Sequence, residues 1–351
     1  MTQQPSSLVS RRTFLSLLGG AAAVSVVGAH AALADRGTAP TASAGPMTTC
    51  TGVLPREKLG IQLWTCLGLY EIDMQETLST LASIGYESVE YAIGFGSIVF
   101  GTAGAKAFRK ALDDNGLSCN GGHTNGLWPY DEATMKRTIA DALVVGQTNL
   151  GFNQGVPTTV NDCKKYAANA HRAHAIARKM GFNGSLYQHF ESADWAPLKD
   201  APNLRAIDVI MKHTTSDVWN AQLDTAHSLM PLGSIGAVLK YVRRYPGRFI
   251  SFHMKDGTPP AMLPDGSFQP VPLEPAPFGS GDWGRPDIAD PQGRPHAGFQ
   301  DLLTAVRETQ NWDTALFIAE ADGTQVSCYD YAIPAYRGLN GLTFPYRARR
   351  C

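Results

Sequence analysis

Eight short apolar runs recur between residues 59 and 320, separated by longer segments with helical spacing. The runs cover residues 59–64, 88–91, 117–122, 148–152, 183–189, 219–224, 249–255 and 315–320. They are continuous rather than alternating, which is typical of parallel strands that are buried on both faces. The pattern therefore predicts eight buried strands.

The intervening segments predict helices over residues 73–84, 103–115, 131–145, 160–180, 203–213, 235–244 and 299–310. Gly85, Gly116, Gly146 and Gly181 fall where four of these helices should end, and glycine is favoured at such ends. Eight strand–helix repeats predict an α/β fold, a single-domain (β/α)8 TIM barrel. The alternative is a doubly wound open sheet, but no G-x-G-x-x-G follows the first strand, as a dinucleotide-binding fold would require.

One stretch breaks this alternation. Residues 257–297 follow the seventh strand and contain ten prolines, with no periodic hydrophobic positions. A loop of this length in a compact domain is usually functional or mobile. We interpret it as a lid or a substrate-shaping loop over the barrel mouth; the alternative is a surface insertion without a role.

The N-terminus has the features of an export signal. Arg11 and Arg12 precede a modestly apolar run to Val27, and small residues offer cleavage after Ala31 or Ala34. We expect residues 1–34 to be a twin-arginine signal peptide, residues 35–55 a flexible linker and residues 56–345 the barrel. The protein should then be exported to the periplasm or outside the cell, without stable membrane insertion after cleavage.

The charge balance argues against nucleic acid as a partner. The chain has 30 basic and 31 acidic residues, and removing Arg11 and Arg12 with the leader leaves 28 basic against 31 acidic. A nearly neutral chain has no long-range attraction for nucleic acid or an anionic membrane. We expect a small-molecule partner, and the outer helices of a barrel leave room for a homo-oligomer.

The six cysteines include no C-x-x-C pair and are too sparse for a disulfide scaffold. Export permits a disulfide, and Cys50 with Cys351, both near the chain ends, is the first pair to consider. The alternative is six unpaired thiols.

Three of the predicted strands end in side chains that bind metals. Asp224, His253 and Glu320 lie at or near the ends of the last three strands, where a parallel barrel builds its active site. Burying two carboxylates close together is costly without a cation to balance them. We therefore predict one divalent metal ion; mixed carboxylate and imidazole ligands suit Mn²⁺, Co²⁺, Mg²⁺ or Zn²⁺.

The phrases GIQLWT, ASIGYESVEYA, LDTAH, FHMKD and IAEADGT resemble the xylose-isomerase-like TIM-barrel superfamily of sugar phosphate isomerases and epimerases. The resemblance runs from about Leu59 to Tyr331. It implies that Asp224, His253 and Glu320 are metal ligands and that Lys255, in the H-x-K-D phrase, contacts the substrate.

The fifth strand departs from the family pattern, because no carboxylate lies inside it where the epimerases carry a glutamate. The segment resembles the HNHxFEF phrase of exported relatives, with Gln188-His189 standing for Asn-His. Glu191 or His189 is then the fourth ligand or a substrate-binding residue, and the sequence does not choose between them. Either of these, or Glu320, would move the proton.

Further strand ends offer polar and aromatic groups for a substrate pocket. The candidates for substrate binding are Gln62, Glu90, His123 and Trp64, together with His189, while Asn153, Trp128 and Trp195 are weaker ones. Aromatic rings at such positions can stack on the apolar face of a sugar, although core packing explains any one of them as well.

The resemblance implies a metal-dependent isomerase or epimerase that removes a proton next to a carbonyl of a free sugar, cyclitol or keto-glycoside. Glu320, Glu191 and Lys255 are the catalytic candidates, with Lys255 neutralising the developing oxyanion. A dehydratase or lyase would use the same enediolate. Two other hypotheses are a nuclease like endonuclease IV, which the charge disfavours, and a carbohydrate-binding barrel without catalysis.

Overall fold

Eight parallel strands form a closed barrel in the chain. The structure, a computed structural model, describes residues 48–92, 104–258, 274–276, 278–284, 298–322 and 327–348. The predicted signal peptide, Cys351 and most of the insertion at 257–297 lie outside the described residues. The barrel strands are β1 (Leu59–Gln62), β2 (Ser88–Ala92), β3 (Ser118–Thr124), β4 (Asn149–Phe152), β5 (Ser185–His189), β6 (Asn220–Asp224), β7 (Phe249–Met254) and β8 (Leu316–Ala319).

Each barrel strand pairs in parallel with the next one in the chain, and β8 pairs with β1 to close the ring. All eight predicted strands are therefore confirmed, with ends shifted by at most two residues. Every residue of β1, β6 and β7 is buried, because helices cover the outside of the barrel and side chains fill its inside. This two-sided burial explains why the strands are continuously apolar in sequence.

Ten helices are present among the described residues. They are α1 (Leu67–Ile72), α2 (Met74–Ile84), α3 (Gly104–Asp114), α4 (Glu132–Val145), α5 (Val160–Lys179), α6 (Ala206–Lys212), α7 (Thr225–Leu232), α8 (Ile235–Arg244), α9 (Phe299–Thr309) and α10 (Cys328–Gly341). Gly85 and Gly146 are the C-cap residues of α2 and α4, with φ of 120° and 75°. A positive φ favours glycine, so the glycines marked these two helix ends in the sequence.

The sequence-based prediction placed the start of one helix too early and left some helices out. Residues 203–205, predicted to be helical, belong to a short strand, Ala201–Arg205, that pairs antiparallel with Pro197–Leu198. The helix begins only at Ala206, where the Asp208 carboxylate accepts the Arg205 backbone N–H at 2.8 Å. The prediction also missed α7 and α10, each of which contains a proline that disguises the helical pattern.

A two-stranded ribbon joins the ends of the described chain. Thr48–Val53 pairs antiparallel with Thr343–Ala348. Residues 35–47 of the predicted linker lie outside the described part, but residues 48–53 are a strand and not flexible linker. Threonine and valine favour extended backbone there, and Thr343–Ala348 offers a complementary edge. Within the described residues, no helix has the length and apolar character needed to span a membrane.

A disulfide between Cys66 and Cys328 joins the loop after β1 to the start of α10. The sequence analysis did not anticipate this bond. Cys50 is also disulfide-bonded, but its expected partner, Cys351, lies outside the described residues, so that pairing stays a prediction. Cys119 and Cys163 are buried free thiols.

Replacing both Cys66 and Cys328 by serine should lower the free energy of unfolding by about 2–5 kcal/mol, because the bond closes a long loop of the unfolded chain. Denaturant unfolding of wild type and variant measures the difference. Cys163→Ser, which changes a buried thiol without breaking a disulfide, is the control and should cost less. A double variant as stable as the wild type would contradict this expectation.

Candidate functional site

Four buried side chains meet at the C-terminal ends of β5 to β8. They are His189, Asp224, His253 and Glu320, whose ligand atoms all lie within 4.8 Å of one another. The parallel register sets His253 beside Asp224, and the strand ends bring His189 and Glu320 to the same mouth. Each of these residues is at most 4% exposed. We call these four residues the mouth cluster.

The carboxylates of the mouth cluster point at its imidazoles. Asp224 Oδ2 lies 3.4 Å from His189 Nε2 and 3.6 Å from His253 Nδ1. Glu320 Oε2 is in direct contact with His253 Nδ1. Burial raises the pKa of Asp224, but the charges of Lys255 and neighbouring histidines outweigh it and hold the pKa well below its ordinary value. Asp224 is therefore an ionised ligand candidate.

His253 Nδ1 and Glu320 Oε2 are buried and in direct contact at the centre of the mouth cluster. Neither atom makes a hydrogen bond of regular geometry, although Lys255 Nζ lies 3.2 Å from Glu320 Oε2. Without a metal, a proton on His253 Nδ1 joins the two atoms, and metal binding displaces such a proton because an imidazole ligand must be neutral. The donor set, two imidazoles and two carboxylates, is one that transition metals accept. The residues present therefore fit a divalent ion.

Lys255 is the cation at the rim of the cluster. It is 2% exposed, and its Nζ lies 3.0 Å from Asp224 Oδ2, 3.2 Å from Glu320 Oε2 and 2.6 Å from Asp322 Oδ2. Burial lowers the pKa of Lys255, but these carboxylates outweigh it and hold the pKa well above its ordinary value. The side chain is an ammonium donor directed at the mouth.

The structure separates the two candidates on the fifth strand. His189 ends β5 and belongs to the mouth cluster, whereas Glu191 lies two residues later and does not. Glu191 Oε1 is 3.3 Å from His189 Nδ1, and its side chain is 39% exposed. Glu191 thus lies behind His189, within ion-pair distance of the ring nitrogen that faces away from Asp224.

His227 is a site residue that the sequence analysis missed. Asp224 is the N-cap residue of α7, and its Oδ1 accepts the His227 backbone N–H at 2.8 Å. This hydrogen bond places the His227 backbone beside the mouth cluster. His227 Nε2 lies 3.0 Å from Glu191 Oε2 and 3.4 Å from Asp322 Oδ2. Burial lowers the pKa of His227, but the neighbouring carboxylates raise it to about 10. The D-x-x-H spacing within LDTAH was the available signal.

Three predicted substrate contacts are buried against the mouth cluster. Gln62, Glu90 and His123 are at most 4% exposed, and Glu90 contacts the other two at 3.0 Å and 2.9 Å. The His123 ring stacks on the His189 ring, with centroids 4.4 Å apart. His123 also lies within ligand distance of His189 and His253, so these side chains form the immediate surroundings of the cluster.

The predicted tryptophans differ in environment. Trp64 and Trp128 are half-buried, and Trp64 donates its backbone N–H to Gln62 Oε1 at 3.2 Å. Trp195 is fully buried and packs against Phe190 and Tyr241. Trp195 therefore belongs to the core, while Trp64 is the one next to the cluster's supports. Asn153 is half-buried just after β4.

Known structures resemble this chain, whereas no family model and no curated protein matches it. A sugar phosphate isomerase/epimerase from Parabacteroides distasonis has a TM-score of 0.63 and 16% identity, over 82% of this chain and 98% of its own. An L-ribulose 3-epimerase has a TM-score of 0.54 and 14% identity, over 80% and 94%. An IolI protein with a bound zinc atom has a TM-score of 0.51 and 13% identity, over 80% and 95%.

The chain has the xylose-isomerase-like barrel fold. Identities of this size establish the fold and not the reaction. The fold expected from the sequence resemblance is thereby confirmed.

The described part of the insertion is anchored to this xylose-isomerase-like barrel beside the mouth. Asp256, next to Lys255, accepts the backbone N–H groups of Gly257, Gly279 and Gly281 at 2.6–3.1 Å. Trp283 is buried and donates its indole N–H to the Thr225 carbonyl at 2.8 Å. Residues 278–284 thus contact the two segments that follow Asp224 and Lys255.

Proposed function

We propose that the protein is a metal-dependent sugar isomerase or epimerase that acts by proton abstraction next to a carbonyl. The substrate class is a free sugar, cyclitol or keto-glycoside. The observation that carries the proposal is the mouth cluster, four buried side chains whose ligand atoms all lie within 4.8 Å of one another, with His253 Nδ1 in contact with Glu320 Oε2. The isomerases and epimerases that share this fold support it.

The metal ligands we assign are His189, Asp224, His253 and Glu320. His189, rather than Glu191, is the ligand from β5, since it alone of the two belongs to the buried group. Two imidazoles favour Mn²⁺, Co²⁺ or Zn²⁺ over Mg²⁺, which prefers an all-oxygen shell. When bound, such an ion supplies Lewis-acid stabilisation of negative charge on the substrate oxygens.

Glu191 is the proton-moving residue in this proposal. With His189 as ligand, Glu191 is left for the substrate, and it is a partly exposed carboxylate beside the buried cluster. It takes the proton from the carbon next to the carbonyl, and the electron pair forms an enediolate. Return of the proton to the neighbouring carbon gives the isomer, and return to the opposite face gives the epimer. His227 holds the carboxylate in place from 3.0 Å.

Lys255 is the oxyanion donor. Its ammonium lies at the rim, 3.0 Å and 3.2 Å from the carboxylates of Asp224 and Glu320. A substrate oxygen that binds beside those carboxylates comes within reach of the same ammonium group. Positive charge fixed where negative charge develops lowers the barrier without reorganisation during the reaction.

We also propose that the protein works outside the cytoplasm. The twin-arginine pattern at residues 10–15 supports this, as does the Cys66–Cys328 disulfide, because such bonds are rare in a reducing cytosol. Phosphorylated cytosolic sugars would then be poor candidates for the substrate.

Deuterium incorporation tests the proposed reaction. Protein loaded with Mn²⁺ or Zn²⁺ and incubated in D₂O with a panel of ketoses, cyclitol ketones and keto-glycosides should exchange the hydrogen next to the carbonyl. Proton NMR follows the loss of that signal. Chelator-treated protein should lose exchange, and added metal should restore it. Sugar binding without exchange by metal-loaded protein would contradict an enzyme and favour a carbohydrate-binding barrel.

A further inference from the structure

Glu90 is a buried carboxylate that gathers polar contacts from four other strands. Its Oε1 lies 3.0 Å from Gln62 Nε2 on β1 and 2.9 Å from both His123 Nε2 and His253 Nε2, on β3 and β7. Its Oε2 accepts from Gln222 Nε2 of β6 at 2.8 Å. The side chain is 1% exposed. Each of these four partners places a nitrogen atom beside the carboxylate.

The direction of these hydrogen bonds is fixed from outside the group. The Trp64 backbone N–H can only donate, so Gln62 accepts with Oε1 and turns its amide nitrogen to Glu90. Gln222 Oε1 lies 2.8 Å from His123 Nε2, which turns the Gln222 amide nitrogen to Glu90 as well. An ionised carboxylate only accepts hydrogen bonds, so His253 carries a proton on Nε2. A proton on His123 Nε2 is shared between Gln222 Oε1 and Glu90 Oε1.

This arrangement decides which nitrogen of His253 faces the mouth. With Nε2–H held by Glu90, Nδ1 is the nitrogen that faces Glu320 and Asp224, where an ion would bind. A carboxylate behind a metal-binding histidine fixes its tautomer and ring plane in this way. The second histidine, His123, stacks on His189 with an interplanar angle of 24°. The stacking restricts the orientation of the His189 ring as well.

We propose that Glu90 is a positioning residue that prepares both imidazole ligands, His253 by a hydrogen bond and His189 through the stacked ring of His123. The inference rests on the proposed metal site and assigns Glu90 a role other than substrate contact. Its burial and its four protein partners leave no free oxygen for a sugar among the described contacts.

The variant that tests this proposal is Glu90→Gln, which keeps the shape of the side chain. The new amide nitrogen must donate, yet its neighbours also donate. One relief is for His253 to give up its proton on Nε2 and hold one on Nδ1, the nitrogen that must be free of a proton to bind an ion. We expect the affinity for Zn²⁺, measured by competition with a chromogenic chelator, to fall about 10- to 100-fold.

The spectroscopic measurement is independent of the metal. Spectra of metal-free protein with ¹⁵N-labelled histidine should show slowly exchanging Nε2–H groups for His253 and His123 in the wild type. In Glu90→Gln the Nε2–H signal of His253 should be lost or strongly shifted. If Glu90 served folding alone, the Nε2–H signal of His253 would not change in a Glu90→Gln protein that remains folded.

Asp208→Asn is the matched control, since Asp208 is also buried and accepts from the Arg205 N–H and the Tyr245 hydroxyl. It should leave Zn²⁺ affinity and the His253 signal unchanged. Should Glu90→Gln not fold, Glu90→Asp keeps an acceptor-only group that is too short for both histidines, and affinity should again fall.

The outcomes separate this inference from the proposed function. A folded Glu90→Gln protein with Zn²⁺ affinity within twofold of the wild type, and an unchanged His253 signal, would overturn the positioning role alone. A wild-type protein that binds no Zn²⁺ would overturn the proposed metal site, and this inference with it.

Discussion

Replacing Glu191 by glutamine should lower turnover by about a hundredfold to ten-thousandfold, the usual contribution of a positioned acid–base group. The amide cannot take the proton from the substrate carbon, but its oxygen can keep the polar contact with His189 Nδ1, 3.3 Å away in the wild type. Zn²⁺ affinity should therefore change by no more than about tenfold. Deuterium exchange at the sugar carbon and chelator competition measure the two quantities on the same preparation.

The control for this variant is Glu132→Gln, an exposed glutamate on α4 that pairs with Lys136 at 2.6 Å. Its exchange rate and metal affinity should match those of the wild type. Unchanged exchange in Glu191→Gln would remove Glu191 from the mechanism and return the proton-moving role to Glu320.

Replacing His189 by alanine should lower Zn²⁺ affinity by more than about a hundredfold. Removing a metal ligand reduces the affinity more than removing a residue that only hydrogen-bonds to a ligand. His189 is 2% exposed, and its Nε2 lies 3.4 Å from Asp224 Oδ2 at the cluster. Exchange should fall in proportion to the bound metal and recover partly at high Zn²⁺ concentration. Elemental analysis after gel filtration and chelator competition give the affinity.

The pair of variants decides between the two candidates on β5. Our assignment requires that His189→Ala loses the ion while Glu191→Gln retains it. The reverse pattern would make Glu191 the ligand and His189 the residue behind it. Circular dichroism of both proteins shows whether each variant keeps the barrel.

The barrel could be predicted because its strands are buried on both faces and because glycine marks the ends of some of its helices. The runs at 219–224 and 249–255 predicted β6 and β7 closely, and Asp224 at the end of the first and His253 near the end of the second are two of the cluster's members. The same rule failed at α7, which starts immediately after Asp224 and contains Pro231, so no separating loop marked it. His227 was missed with that helix.

The sequence could not choose between His189 and Glu191 for a physical reason. Residues two apart in an extended strand point to the same face, so both are equally placed by pattern alone. The chain leaves the strand at His189, and Glu191 instead caps a short 3-10 turn, Ser192–Trp195, which carries it out of the buried group. Only the position of the strand end separates them.

The buried support of the cluster depends on neighbours that lie far apart in the chain. Glu90 was noticed as a polar strand end, but its partners on β1, β3, β6 and β7 follow from barrel closure and register. The spacing of residues along the sequence does not show which strands become neighbours when the barrel closes. The Cys66–Cys328 pairing is hidden for the same reason.

The most direct test of the account is the metal content of the wild-type protein, purified without chelator after export and measured by elemental analysis. The mouth cluster predicts about one divalent transition-metal ion per chain. Protein that contains no metal, and takes up none when incubated with Mn²⁺, Co²⁺ or Zn²⁺, would contradict the central claim that these four buried side chains form a metal site.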